Sequence, residues 1–179
     1  MTHPLSDALR AWGLTWGGWL DNRRGEWWLL AQLVLIALLL LPAVPAPSAL
    51  GLTWPLAVRL VGAVAVALGV VEGLRAFLNL GSSLTPLPDP KPGAALVTTG
   101  PYARVRHPLY QAILIGALGM ALARGSLLHL GLLLALVGVL GGKARREENK
   151  LLAEHPEYTA YRASTAAIVP GLPWLDWRA

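Results

Sequence analysis

Leu96-Val97-Thr98-Thr99-Gly100-Pro101-Tyr102-Ala103-Arg104-Val105-Arg106-His107-Pro108-Leu109-Tyr110 is the segment around which the rest of the sequence is arranged. It packs two arginines, a histidine and two tyrosines between long apolar runs. Gly100-Pro101 interrupts regular structure, and Pro108 biases His107 away from helix. Polar, cationic, irregular sequence in that setting points to one wall of a cofactor site at a membrane surface. The other wall is expected from Lys143 to Glu148.

The flanking runs set the class. The chain is 55% hydrophobic and 14% charged, against roughly 25% charged for a soluble domain, so an integral membrane protein is the first class to test. Four apolar runs stand out: Trp27 to Leu41, Pro55 to Leu80, Pro108 to Ala123 and Ser126 to Gly142. They predict an all-α, polytopic membrane bundle of about four transmembrane helices. The first run, fifteen residues, is short for a hydrocarbon core of about 30 Å. Pro55 and Pro108 suit helix starts, where a missing N–H is harmless. Ser126 is a candidate N-cap. Gly62, Gly69 and Gly73 suit close helix packing. Glu72 and Arg75, three apart, can pair on one helix face.

Between the second and third runs, Pro86, Pro88, Pro90 and Pro92 alternate, which predicts extended chain. After Gly142 the sequence turns charged but keeps Leu151 and Leu152, so Lys143 to Glu154 reads as a helix leaving the membrane. The tail ends in a turn, Pro170-Gly171-Leu172-Pro173, followed by an aromatic anchor, Trp174. At the other end, Trp12, Trp16 and Trp19 would share one face of a helix, so residues 1–26 read as an interfacial arm or as tryptophans packed on the bundle. The whole chain, 1–179, reads as one membrane domain: the arm, two spans over 27–80, a loop over 81–107, a helical hairpin over 108–142, and a helix and tail over 143–179.

Cation placement orients the bundle. With four spans, Arg10, Arg23, Arg24, Lys91, Arg104, Arg106, Lys143, Arg145, Arg146, Lys150, Arg162 and Arg178 share one side, with Arg75 near it. The other side holds Arg124, with Arg59 near it. The positive-inside rule then predicts both termini and the central loop in the cytoplasm, with a bacterial inner membrane as the setting. In this context the net charge of +5 reflects cytoplasmic loops rather than nucleic-acid binding. The absence of cysteine excludes disulfides, thiolate metal sites and a cysteine nucleophile. The four histidines are too scattered to predict a metal cluster, and His129 is expected to be satisfied by packing or to lie near the outer interface.

Leu96-Val97-Thr98-Thr99-Gly100-Pro101-Tyr102 followed by Arg106-His107-Pro108-Leu109-Tyr110 resembles the signature of the isoprenylcysteine carboxyl methyltransferase family and of the similar bacterial phospholipid methyltransferase-like proteins. A second block agrees: Glu147-Glu148, Leu151-Leu152, Glu157-Tyr158, Tyr161 and Pro170-Gly171-Leu172-Pro173. The resemblance covers about Leu96 to Trp174. It implies S-adenosyl-L-methionine as cofactor at the cytoplasmic ends of the last two spans, and a lipophilic acceptor entering from the bilayer. It also implies cofactor contacts at Leu96, Val97, Tyr102, His107, Pro108, Leu109, Tyr110, Glu147 and Glu148, with Lys143, Arg106 and His107 as the catalytic group. In the prenylcysteine enzymes an arginine is expected where this chain has Lys143; lysine is a point charge without the bidentate fork. Lys143 can also simply pair with Glu147 at i, i+4.

Methyl transfer to a carboxylate needs no general base, whereas an amine acceptor must lose a proton, with His107 or a glutamate as candidate base. Two further readings remain open at this point. One is a non-catalytic membrane assembly or transport component that keeps the scaffold. The other is a reductase, since some sterol reductases have a similar membrane core.

Overall fold

The computed structural model describes residues 16–91, 93–172 and 175–177. Expectations for Trp12, Pro92 and Trp174 fall outside those residues. The described chain is all helical apart from one isolated bridge, Val105 to Ala166. The helices are α1 (Trp16–Asp21), α2 (Glu26–Leu38), α3 (Leu56–Leu80), α4 (Pro108–Arg124), α5 (Leu127–Glu154) and α6 (Tyr158–Ser164). Short 3-10 turns at Pro47–Leu50, Gly81–Ser83 and Gly100–Ala103 punctuate the connections.

Two of these helices are long and apolar enough to cross a membrane: α3, extended by its 3-10 turn to Ser83, and α5. Helices α2 and α4 are apolar but shorter. At 1.5 Å per residue, α2 is about 20 Å long, short of the roughly 30 Å hydrocarbon core. The structure therefore supplies two helices of spanning length where the hydropathy pattern predicts four spans. The first run stops early because Pro42 and Pro45 cannot continue it. The fourth run does the opposite. It passes through Gly142 without a break, and α5 carries the charged Lys143–Glu154 half beyond the apolar one.

Helix α3 exposes Leu56, Leu60, Val64, Leu68, Leu74 and Leu78 and buries only Gly62, Gly69 and Ala76. An exposed face of that composition suits hydrocarbon, and its buried stripe is made of small residues because α4 comes very close. A side-chain carbon built on Gly62 would lie 2.5 Å from the Gly119 carbonyl, and one on Gly69 would lie 2.7 Å from the Ala112 carbonyl. The core proper lies between α4 and α5, where Leu114, Ala117, Leu132, Leu136 and Leu140 pack with Leu39. Gly125 turns the hairpin in the left-handed region (φ 60°) and stacks against Trp54.

Away from the charged end, Ser126 precedes α5 but makes no capping bond; its hydroxyl instead exchanges hydrogen bonds with the backbone of Val44. His129 is fully buried, with Nε2 3.1 Å from the Leu39 carbonyl. Arg59 and Arg124 meet in a surface groove at this end. The Glu72–Arg75 pair forms at 3.0 Å.

The α3–α4 contact yields a stability test. Gly62→Val should lower the melting temperature in detergent by the equivalent of at least about 1–3 kcal/mol, the usual range for overpacking. Gly138→Ala, at a position with open space around it, should leave it unchanged or raise it.

Candidate cofactor and acceptor site

At the charged end of the bundle, Arg106 is the hub. Its side chain is fully buried, and every guanidinium nitrogen has a partner. Nε donates to Glu148 Oε1 at 2.8 Å, and Nη2 to the Asp176 carbonyl at 2.8 Å. Nη1 donates to the Thr165 carbonyl and, at 3.2 Å, to Asp176 Oδ1. Two backbone bonds fasten this segment to the chain that follows α6: Arg106 N to Ala166 O at 2.8 Å and His107 N to Ala167 O at 3.0 Å. The extended stretch before Pro108 is therefore a short ribbon docked on the stretch after Ser164.

Glu148 faces inward from α5. Its carboxylate meets Arg106 on one oxygen, His107 Nε2 on that same oxygen at 2.9 Å, and Arg162 at 3.0 Å on the other. Burial alone would raise its pKa, but bonding to His107 and Arg106 outweighs burial and leaves it below the ordinary value. An ionised carboxylate only accepts, so His107 must carry a proton on Nε2. Nδ1, 3.8 Å from Glu147 Oε2, then points to the other glutamate. This tautomer is assigned from the partners.

Glu147 is one residue on and about 100° around the helix, and it points elsewhere. It accepts from the Tyr110 hydroxyl at 2.7 Å and keeps a part-exposed carboxylate. His107 stacks on Tyr110 with centroids 5.1 Å apart and planes 5° from parallel. Lys143 does not pair with Glu147. Its ammonium donates to Gln32 Oε1 and to the Pro86 carbonyl, both at 2.7 Å, and sits 5.2 Å from the Tyr110 ring centroid.

Two cavities flank these residues. An apolar one is lined by Phe77, Leu84, Leu109, Ile113, Tyr110 and His107, with Lys143 and Gln32 among its polar atoms. The second, on the α6 side, is formed by Ser83, Ala95, Leu96, Val97, His155, Tyr158 and Tyr161. Leu80, Thr85, Tyr102, Arg106 and Glu147 line both. Tyr102 is buried, and its hydroxyl is pushed well above its usual pKa by that burial and by Glu147. The Tyr161 hydroxyl donates to the Tyr102 carbonyl at 2.6 Å, and burial raises its pKa to about 12. The main-chain groups of Leu96 and Val97 form no hydrogen bond with other described residues.

A family model described as phospholipid methyltransferase matches residues 58–157. The chain belongs to this phospholipid methyltransferase family, which is isoprenylcysteine methyltransferase-like. Among curated relatives, it is 30% identical over 153 residues to the nickel-cobalt-cadmium resistance protein NccN of Alcaligenes xylosoxydans xylosoxydans, covering 84% of this chain and 66% of that protein. It is 37% identical over 78 residues to the cobalt-zinc-cadmium resistance protein CzcN of Cupriavidus metallidurans, covering 43% and 36% respectively. The chain thus spans less than two thirds of the length of both relatives. The family match begins within α3 and ends just before α6, so it includes both cavities' shared wall.

The family's motif residues are brought together, but they face different ways. Tyr102 and Glu147 line both cavities; His107, Leu109, Tyr110 and Lys143 line the apolar one; Leu96 and Val97 line the one on the α6 side. Glu148 lines neither, because its carboxylate is taken up by Arg106, His107 and Arg162, and Pro108 borders a separate surface groove. Sequence reasoning missed Gln32, Asp176 and Trp177. Gln32 is the one polar residue in the run Trp27 to Leu41, which was a usable signal. Nothing local marked the other two.

The Glu148 ion cluster carries a pH prediction. Because its folded-state pKa is depressed below 4.5, its contribution to stability is complete above about pH 4.5. That contribution is lost as pH falls through the lower folded-state value. Melting temperature in detergent should drop on acidification in that window. Glu148→Gln should already be destabilised at pH 7 and should show a flatter acid limb. An acid limb as steep in Glu148→Gln as in the wild type would contradict the assignment.

Proposed function

We propose that the protein is an S-adenosyl-L-methionine-dependent methyltransferase that acts at the membrane on a lipophilic acceptor. The observation that carries this reading is the shared wall: two cavities, one lined by Phe77, Leu109 and Ile113 and the other by Leu96, Val97 and Tyr158, meet at Tyr102, Arg106 and Glu147. A nucleoside donor and a greasy acceptor need two such chambers side by side, open to one another at the reacting atoms.

The residues fit the cofactor's chemistry. Free main-chain donors and acceptors at Leu96 and Val97 suit its adenine or aminoacyl end, Glu147 can accept from an ammonium or a ribose hydroxyl, and Tyr102 offers an aromatic face. The α6-side cavity, at about 80 Å³, is smaller than the roughly 300 Å³ lower range of small-molecule sites. Its outer wall, Ser83 to Thr85 and Ala94 to Val97, must therefore move outward on binding.

When bound, the cofactor supplies an electrophilic methyl group on a sulfonium. The chain's own work is to hold, orient and exclude water. Glu147, fixed by Tyr110, stands between the two cavities. Lys143 gives the apolar cavity a cationic end that can hold an anionic acceptor group. With a carboxylate acceptor no base is needed; with an amine acceptor, His107 Nδ1 is the base, because Glu148 holds Nε2. In this reading α2 and α4 complete four spans with help from their flanking turns, the site faces the cytoplasm, and both termini lie on that side.

The names of the two relatives favour, more weakly, a non-catalytic component of a metal-resistance system. Calorimetry on protein in detergent separates the readings. Saturable binding of S-adenosylmethionine is expected, and no binding would favour the second reading. Glu147→Gln should weaken binding roughly tenfold, about 1.4 kcal/mol, and His129→Ala should leave it within about twofold. Equal effects would overturn the site.

A further inference from the structure

Of the chain's four tyrosines, two put their hydroxyls to visible use: Tyr110 on Glu147 and Tyr161 on the Tyr102 carbonyl. Tyr158 does not. It opens α6, is 1% exposed, and meets Tyr161 edge-on at 5.7 Å. Its hydroxyl has no hydrogen-bond partner among the described residues. Buried hydroxyls are normally satisfied, and one left bare opposes folding, so phenylalanine would pack here better unless the oxygen has another task. Tyr158 also lines the α6-side cavity, with Leu96, Val97 and Glu147.

We propose that the Tyr158 hydroxyl is a ligand-binding group, reserved for the ribose diol of the nucleoside that enters the α6-side cavity. The inference rests on the methyltransferase reading above and deepens it. The choice of the ribose follows from the charges around the phenol. Glu147 and Glu148 act on it as negative neighbours, and Arg106, already committed to Glu148, opposes them only in part. A ligand carboxylate would be repelled there. A neutral diol can both donate to and accept from a phenol, and it leaves Glu147 free for the cofactor's ammonium. The hydroxyl stays protonated, since burial pushes it well above its usual range.

The test is Tyr158→Phe in the full chain in detergent, which removes one oxygen and little volume. Three measurements are made: melting temperature without ligand, and affinities for S-adenosylhomocysteine and for methylthioadenosine, which keeps the ribose but lacks the amino-acid end. The expected result is an unchanged or higher melting temperature, with both affinities weakened by a similar factor, roughly tenfold. Wild-type affinity in the variant would overturn the proposal, as would a lower melting temperature with unchanged affinity, the signature of a packing role. Loss confined to S-adenosylhomocysteine would overturn the ribose assignment. If the wild type binds neither nucleoside, the methyltransferase reading itself fails, and the inference goes with it. Hydrogen exchange on the wild type gives a variant-free check: residues 155–161 should gain protection with methylthioadenosine, and no gain there would count against the proposal.

Discussion

The buried pair between Arg106 and Glu148 holds this end of the molecule together. An unpaired charge at that depth costs several kcal/mol, and removing one partner of a buried pair commonly costs about 3–5 kcal/mol. The surrounding chain is arranged to prevent that. Carbonyls from the stretch after α6, the carboxylate of Asp176 and the imidazole of His107 take up the remaining donors and lone pairs. The loop before α4, the charged half of α5, α6 and the tail are thereby bound to one another through a single guanidinium. Trp177 packs beside His107, tilted 49° to it with centroids 6.5 Å apart.

This arrangement separates two jobs that the sequence runs together. Glu147 and Glu148 are neighbours in the chain, but a helix sends successive residues about 100° apart. Glu148 is consumed by structure, and Glu147 is left facing both cavities. His107 is divided in the same way, with one ring nitrogen held by the buried carboxylate and the other directed at the open one. The same ion cluster that stabilises the fold thus sets the tautomer of the histidine beside the cavity. Lys143 sits apart from this network, held by Gln32 of α2 and by a loop carbonyl, at the end of the apolar cavity.

Much of this was legible in the sequence. Apolar runs, breakers and glycine spacing marked the helices, and the family's two motif blocks marked which loops meet. The glycine stripe of α3 was readable because close packing leaves few alternatives for a small residue in an apolar run. Span count was less legible, since hydropathy reports apolar length whereas Pro42 and Pro45 decide where helix α2 ends. Asp176 was not legible at all: its partner lies seventy residues away, and no local pattern records such a contact. Nor could spacing distinguish Glu147 from Glu148, since what each carboxylate meets depends on elements elsewhere in the chain.

The contact between Arg106 and Asp176 has a consequence for the order of assembly. During synthesis α3 and α4 can pack as soon as both have emerged, because their small-residue interface is complete in itself. Arg106 by then is already in place at the head of α4, but two of its acceptors belong to Asp176, which the ribosome adds last among the residues of the cluster. Until then the guanidinium lacks those two acceptors, even after Glu148 and Thr165 have emerged to meet it. The hub's last partners come from the tail, so this end of the molecule is complete only once the tail has docked.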